Sequence, residues 1–392
     1  MLSEVEFDLE LKKLLITNIE RIFAKDVEKF AWNGLSLYAN RELCFNQLQK
    51  LHSPPEKQKR NVRKQAEHIR QAILLAKEYY ETSKVASLAT RPVLLYYSCM
   101  SLALAEILLK QDGRSSLDLA RNDHNHHGLV FSSSITFDLD FLKTSKMLKS
   151  KPMKVGKNYK GTFELWRRSA RHLPIVGTET QTFPRGLSTT AVNPLLFEND
   201  SELVNIDDRG VTLIECFMRL PFMERTLRVN GCPSFFVRGE ASKTFDIKGV
   251  QYFNLLIHPA SSQSLEKLLN IIVASPEMVN FLEIDEYERG LLIRWLQNEY
   301  SLGLAFHFPS GLNLNTKMVY FGTDSMRMNE FGNIYLSLFM LSNLSRYYPD
   351  IWIKHIENHT SFSLVVSEFC EKAAERMALM AYSELSRTLY IE

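Results

Sequence analysis

Cysteine is too scarce and too scattered in this chain to build a metal knuckle or a disulfide framework. Five occur, at Cys44, Cys99, Cys216, Cys232 and Cys370, and none forms a Cys-x-x-Cys pair. The odd number and wide spacing argue against a zinc knuckle or a thioredoxin-like site and fit a reducing cytoplasm. A dominant charge sign is also missing. Lysine and arginine number 47 against 45 aspartates and glutamates, a formal net charge of +2. No global basic excess advertises nucleic acid and no acidic excess argues against it, so any such site must come from local clustering. The start, MLSEVEFDLELKK, lacks the basic opening of a signal peptide. Repeats and low-complexity tracts are absent.

Only one stretch, Pro92–Leu109, resembles a membrane span. It is marginal in length and carries Ser98, Ser101, Glu106 and two central tyrosines. A glutamate in lipid is costly, so the expectation is a buried helix of a soluble, cytoplasmic protein with no membrane partner. What the chain does have is core material. Of 392 residues, 45% are hydrophobic and 23% charged, enough for a sizeable globular protein of about two domains.

Periodicity gives a mixed α+β fold that is mainly helical. Residues 1–130 read as a helical bundle, 131–280 as a strand-containing middle region and 281–392 as a mainly helical C-terminal region. Phe7–Leu48 is helical in pattern, and Ser53-Pro54-Pro55 ends it. Lys57–Ala86 is a long helix, basic first and apolar later. Thr90-Arg91-Pro92 opens the apolar helix, with proline suited to the first turn. Apolar residues on nearly every face place that helix in the middle of a bundle. Candidate strands are Ile135–Leu139, Val211–Phe217, Ser234–Arg238 and Tyr252–His258, with Asn230-Gly231 as a tight hairpin connection. Phe281–Tyr300 reads as helix, then Leu304–Phe308 and Met318–Phe321 as strands. Ile334–Leu344, a segment starting at Asp350 and Phe362–Tyr390 read as helical, the last as one long helix or a bent pair able to dock against the N-terminal bundle.

The densest polar cluster follows the apolar helix. Arg121, Asn122, Asp123, His124, Asn125, His126 and His127 are consecutive. RNA carries its own nucleophile, the 2′-hydroxyl, and an imidazole can accept its proton or donate one to the leaving oxygen. A guanidinium can hold the phosphate and stabilise the transition-state charge. Arg121 would hold the phosphate, His126 would be the general acid/base with His127 its competitor, and Asn122 would position the substrate. Two other readings stay open. Such residues also satisfy backbone groups in linkers. His and Asp also offer metal ligands, although no H-E-x-x-H spacing occurs. The nuclease reading needs no metal and no cofactor.

Arg121, Asn122 and His126 or His127 resemble the Arg-x4–6-His motif of HEPN-type ribonucleases, helical bundles usually acting as dimers. The chain departs from that pattern where His127-Gly128-Leu129 runs into strand-like sequence. A longer resemblance is to the YaaC-like family of bacterial proteins. It is carried by Tyr79-Tyr80, by Arg91-Pro92-Val93-Leu94-Leu95-Tyr96-Tyr97, by His127-Gly128-Leu129 and by Leu344-Ser345-Arg346-Tyr347-Tyr348-Pro349-Asp350-Ile351-Trp352. This resemblance implies a cytoplasmic protein and a part in bacterial anti-phage defence, with a protein partner, and brings no catalytic residues.

Lysines and arginines concentrate beyond the cluster. Lys143, Lys146, Lys149, Lys151, Lys154, Arg167 and Arg168 are the candidate nucleic-acid contacts, with Phe163 and Trp166 interleaved. A solvated lysine loop with Phe163 and Trp166 as core anchors is the competing reading. Arg346, Tyr347 and Tyr348 either line a pocket between the C-terminal helices and the bundle or form a packed helix break. His355 and His359, four apart, would share a helix face. Glu215, Arg219 and Arg238 are candidates for an anion site. The leading function is a metal-independent endoribonuclease on single-stranded RNA, with a homodimer as the default assembly. The alternatives are a non-catalytic module binding nucleic acid or protein, and a sensor holding its ligand in the middle region.

Overall fold

The apolar run from Pro92 forms the centre of the protein. In the computed structural model it is a helix, Arg91–Lys110, flanked by helices from both ends of the chain. The structure describes residues 16, 18–110, 126–170, 175–183, 188–196, 209–245, 247–258, 282–287, 290–296, 312–313, 318–322 and 328–391. Arg121 and Asn122 of the polar cluster, and the strand expected at Leu304–Phe308, lie outside these residues.

The chain opens with strand β1 (Asn18–Arg21), then helices α1 (Val27–Tyr38), α2 (Arg41–His52), α3 (Lys59–Val85) and α4 (Arg91–Lys110). Strand β2 (Leu129–Ser133), helix α5 (Phe141–Met147), strands β3 (Leu148–Pro152), β4 (Lys154–Val155) and β5 (Asn158–Tyr159) and helix α6 (Thr162–Ser169) follow. The middle continues with β6 (Ile175–Thr182), β7 (Ser188–Leu196), β8 (Val211–Thr212), α7 (Leu213–Phe217) and α8 (Glu224–Val229). Next come β9 (Phe236–Phe245), β10 (Gln251–Ile257), β11 (Leu282–Tyr287), β12 (Gly290–Leu296), β13 (Leu312–Asn313) and β14 (Met318–Gly322). Helices α9 (Glu330–Tyr347), α10 (Pro349–Glu357) and α11 (Ser361–Ser386) and strand β15 (Thr388–Ile391) close the chain. The architecture is the mixed α+β arrangement read from the sequence.

Helix α4 packs on α3, α6, α9 and α11, and α11 also packs on α1. It is long and apolar enough to cross a membrane by length and composition. Its apolar faces are instead used against other helices, since 72% of the apolar window is buried. Helices α1 and α2 start where Asp26 and Asn40 accept backbone N–H groups of the first turn. Tyr80 of α3 packs on Trp32 of α1, and Cys99 of α4 is fully buried in the same core. The five cysteines are all buried and free.

The large sheet runs β11-β12-β10-β9-β14-β13, mostly antiparallel. One edge of β9 is shared, its first half by β14 and its second half by β6, which runs parallel to it. Ala241, Phe253, Leu255, Ile257, Leu291 and Ile293 are buried on this sheet and lie outside the helical core.

Several local expectations are corrected. Phe281–Tyr300 contains a strand pair, with Leu282 facing Trp295 and Tyr287 facing Gly290. Buried Leu291 and Ile293 alternate with half-buried Leu292 and Arg294, the period of a strand. Ile135–Leu139 is not a strand. Aspartate side chains meet its neighbourhood's backbone instead, with Asp138 accepting from Asp140 N–H and Asp140 capping α5. Strand character at Val211 stops at Thr212, which forms a capping box with Glu215 and starts α7. Asn230-Gly231 ends helix α8 and makes no hairpin; Asn230 N–H still reaches Leu227 and Thr226 carbonyls. Ile19, placed in a helix by its spacing, lies in β1, which pairs in parallel with β15.

His355 and His359 do not share a helix face, because α10 ends at Glu357 and His359 takes a left-handed conformation. His355 is fully buried. Its Nδ1 lies 2.9 Å from the Thr360 hydroxyl, and Nε2 has no partner among the described residues. Burial holds this imidazole below the ordinary histidine range; Asp138 opposes that and Lys354 adds to it. The folded state therefore binds this proton less readily than the unfolded one. Its contribution is complete above about pH 6.5 and is lost as pH falls from there through the depressed folded value. Denaturation midpoints should fall less between pH 7.5 and 5 in His355→Asn than in the wild type. Equal slopes would show that His355 does not carry the acid sensitivity.

Candidate functional site

Two glycines position the end of the polar cluster. Gly128 has φ +79° and Gly161 φ +105°, and a Cβ on Gly161 would fall 2.4 Å from Gly128 Cα. No side chain fits between these backbones. The close approach brings the cluster to the N-terminus of α6. Gly161 supplies no side-chain cap there. The orphan amides of the first turn are met by chain carbonyls: Thr162 N–H donates to His126 O at 3.0 Å and Phe163 N–H to His127 O at 3.2 Å. Met153 N–H donates to Gly128 O at 3.0 Å from the other side. His126 and His127 thus sit on a fixed backbone.

His126 is exposed and His127 half-buried. His127 Nδ1 is 2.9 Å from the hydroxyl of fully buried Tyr96. Tyr96 and Tyr97 are neighbours on α4 and project about 100° apart around the helix. Tyr96 turns inward, edge-on to Tyr335 and against Phe339 of α9. Tyr97 is half-buried and stacks on Tyr79 of α3 at 5.4 Å. The His127 ring lies 6.4 Å from Tyr97 and 6.3 Å from Phe339.

The cation of this site comes from the far end of the chain. Arg346, in the last turn of α9, donates from Nη1 to the Tyr97 hydroxyl at 3.2 Å and from Nε to Ser342 O. Its guanidinium lies over the rings of Tyr347, at 5.1 Å, and Tyr97, at 6.0 Å. Burial, with Arg346 and then His126 adding to it, holds the His127 imidazole below the ordinary histidine range. Burial also pushes the Tyr96 phenol up, so it stays a neutral hydrogen-bond partner. Chemically this is an imidazole with one ring nitrogen oriented by Tyr96, in the field of the Arg346 guanidinium, with aromatic walls around it.

The other candidates divide. Lys143, Lys146, Lys151 and Lys154 are exposed and Lys149 is half-buried, along α5, β3 and β4. Arg167 and Arg168 both bind the buried Glu164 carboxylate, Arg167 at 2.7 and 2.8 Å and Arg168 at 2.9 Å. Phe163 and Trp166 are core residues, at 0% and 1% exposure, and offer no base platform. Glu215, Arg219 and Arg238 do not converge as an anion site. Glu215 completes the α7 cap, Arg219 donates to Glu215 O, and Arg238 lies 3.9 Å from Glu224. No group of three metal-ligating side chains occurs among the described residues. A cavity of about 340 Å³ lies on the sheet, lined by Thr178, Glu240, Ser242, Asn254 and Arg294 with apolar neighbours. Sequence reasoning missed Tyr96 as the partner of His127 and Arg346 as its nearby cation. The available signal was a tyrosine pair in an otherwise apolar helix.

The side chains that meet here come from Tyr79, Tyr96-Tyr97, His127 and Arg346, all inside the region with family resemblance. No curated protein and no solved structure matches the chain. The model of the YaaC-like protein family matches residues 37–385, and the chain belongs to that family.

Proposed function

We propose that this protein is a metal-independent endoribonuclease acting on single-stranded RNA, with His127 as general acid/base and Arg346 on the phosphate. The observation that carries this reading is geometric: His127 is oriented by the Tyr96 hydroxyl at 2.9 Å, and its ring and the Arg346 guanidinium both lie against Tyr97. In the reaction, His127 takes the 2′-hydroxyl proton and the 2′-oxygen attacks phosphorus. The P–O5′ bond breaks, leaving a 2′,3′-cyclic phosphate. The departing 5′-oxygen takes up a proton, for which exposed His126 is the candidate donor. Arg346 neutralises the charge that builds on the phosphoryl oxygens. Arg121 and Asn122, close in sequence to His126, are the further candidates for substrate contact. The family resemblance supports placing this activity in anti-phage defence, held in check by a protein partner or a second protomer.

The test is cleavage of end-labelled single-stranded RNA in excess chelator. The wild type should yield cyclic-phosphate ends, and His127→Ala should lose about 100-fold or more of the rate. His127 acts as base in its neutral form, so on the acid side the rate should rise with pH through a midpoint below 6.5. An inactive wild type, or an undiminished His127→Ala, ends the nuclease reading. The exposed lysines of α5, β3 and β4 favour a second reading, a binding module. Equal RNA affinity in all forms without cleavage would select it.

A further inference from the structure

Arg346 has more hydrogen-bonding capacity than the fold uses. A guanidinium carries five N–H donors. Nε donates to Ser342 O and Nη1 to the Tyr97 hydroxyl, which leaves three without a partner among the described residues. No carboxylate lies within ion-pair distance of it among those residues. By contrast, Arg376 grips Glu330 through two bonds, and Arg167 grips Glu164 in the same way. Arg346 is thus a cation set between aromatic rings with donors to spare. That environment suits a phosphate, which accepts parallel N–H bonds.

Tyr347 is the second unusual feature. It is 65% exposed, although the tyrosines nearest to it in the site are buried or half-buried. The Arg346 guanidinium lies over its ring, 5.1 Å from the centroid. An exposed aromatic ring beside a cation that has no carboxylate partner among the described residues is the arrangement that holds a nucleotide unit. The ring stacks on the base and the cation takes the phosphodiester.

We infer that the Arg346–Tyr347 corner binds one nucleotide of single-stranded RNA, with its phosphodiester on Arg346 and its base stacked on Tyr347. The inference rests on the nuclease reading of the same site and names how that site holds its substrate. Stacking accepts any base, so recognition here is of an unpaired strand and not of a base sequence.

The experiment uses the full-length chain and a fluorescein-labelled 2′-O-methyl oligouridylate. That probe has no free 2′-hydroxyl, so binding is read without cleavage. Tyr347→Ala should weaken binding about tenfold and Tyr347→Phe should leave it near wild type. Arg346→Ala should weaken binding and make the slope of log K against log salt shallower by about 0.7, one single-strand phosphate. Tyr347 is exposed, so its variants report on binding with little risk to folding. Unchanged binding by Tyr347→Ala together with an unchanged salt slope for Arg346→Ala overturns the inference. Uridine monophosphate as competitor separates the two sources of a nucleotide unit. Competition only at concentrations far above the oligonucleotide's own supports an RNA strand, and equal potency assigns the corner to free nucleotides and overturns the RNA version. Tyr347-dependent binding by a protein that cleaves no RNA would sink the nuclease reading and leave the nucleotide site standing.

Discussion

Gly161→Ala should unfold the region that carries the histidines, with a stability loss of about 4 kcal/mol. Two terms combine. A non-glycine residue at strongly positive φ costs about 1–3 kcal/mol, and overpacking adds about 1–3 kcal/mol more. The new Cβ would meet Gly128 Cα and N at 2.4 Å and His126 O at 2.9 Å, all backbone atoms that cannot swing aside as a side-chain tip can. The bonds from Thr162 and Phe163 to the His126 and His127 carbonyls would have to break or shift. Gly156→Ala is the matched control. Gly156 also has positive φ, but a Cβ there meets nothing within 4 Å. It should lose only about 1 kcal/mol, from conformation alone. Chemical denaturation of the two variants checks the contrast. Similar midpoints would show that the Gly128–Gly161 contact yields easily.

Lys110→Met should cost about 3–5 kcal/mol, because it takes the cation away from the buried Glu384 carboxylate. The Lys110 ammonium is 2.8 Å from Glu384 and 3.8 Å from Glu106, and it donates to Ser169 O. The side chains of all three charged residues are under 10% exposed. Trp166 Nε1 donates to Glu106 at 3.0 Å, so the network ties α4, α6 and α11 together. The double variant Lys110→Met/Glu384→Gln should recover part of the loss, since the charge that lost its cation is then gone. Denaturation midpoints of the two variants are the measurement. A double variant no more stable than the single one would argue that lost packing, not lost charge, sets the effect.

The elements that were legible in the sequence are those whose signals are local. The apolar faces of Pro92–Leu109 announced a central helix, and Pro54-Pro55 announced the break before α3. Phe362–Tyr390 read as one long helix or a bent pair able to dock on the bundle; α11 docks there as one helix over Ser361–Ser386, and Thr388–Tyr390 belong to β15 instead. Misreadings arose where a distant partner decides. Strand β1 exists because β15 lies beside it, and the two stand at opposite ends of the chain. The hairpin of β11 and β12 carries enough charge and leucine to imitate a helix, and only its pairing with β10 makes it sheet. The candidate site was half visible. His126 and His127 were found by composition, and Arg346 was noted as a pocket residue or a packed break. That His127 and Arg346 both lie against Tyr97 was not visible, because Arg346 and Tyr97 stand 249 positions apart.

The sequence by itself determined the family, through segments that resemble it, and it determined the mixed fold class and the central helix because periodicity and helix-ending residues act over a few neighbours. Only the tertiary structure decided that His127 and Arg346 both gather around Tyr97, and which arginines are already taken, as Arg167 and Arg168 are by Glu164. The reason is physical: a side chain's charge and donors are fixed by its type, but whether they are satisfied depends on what the fold packs against them.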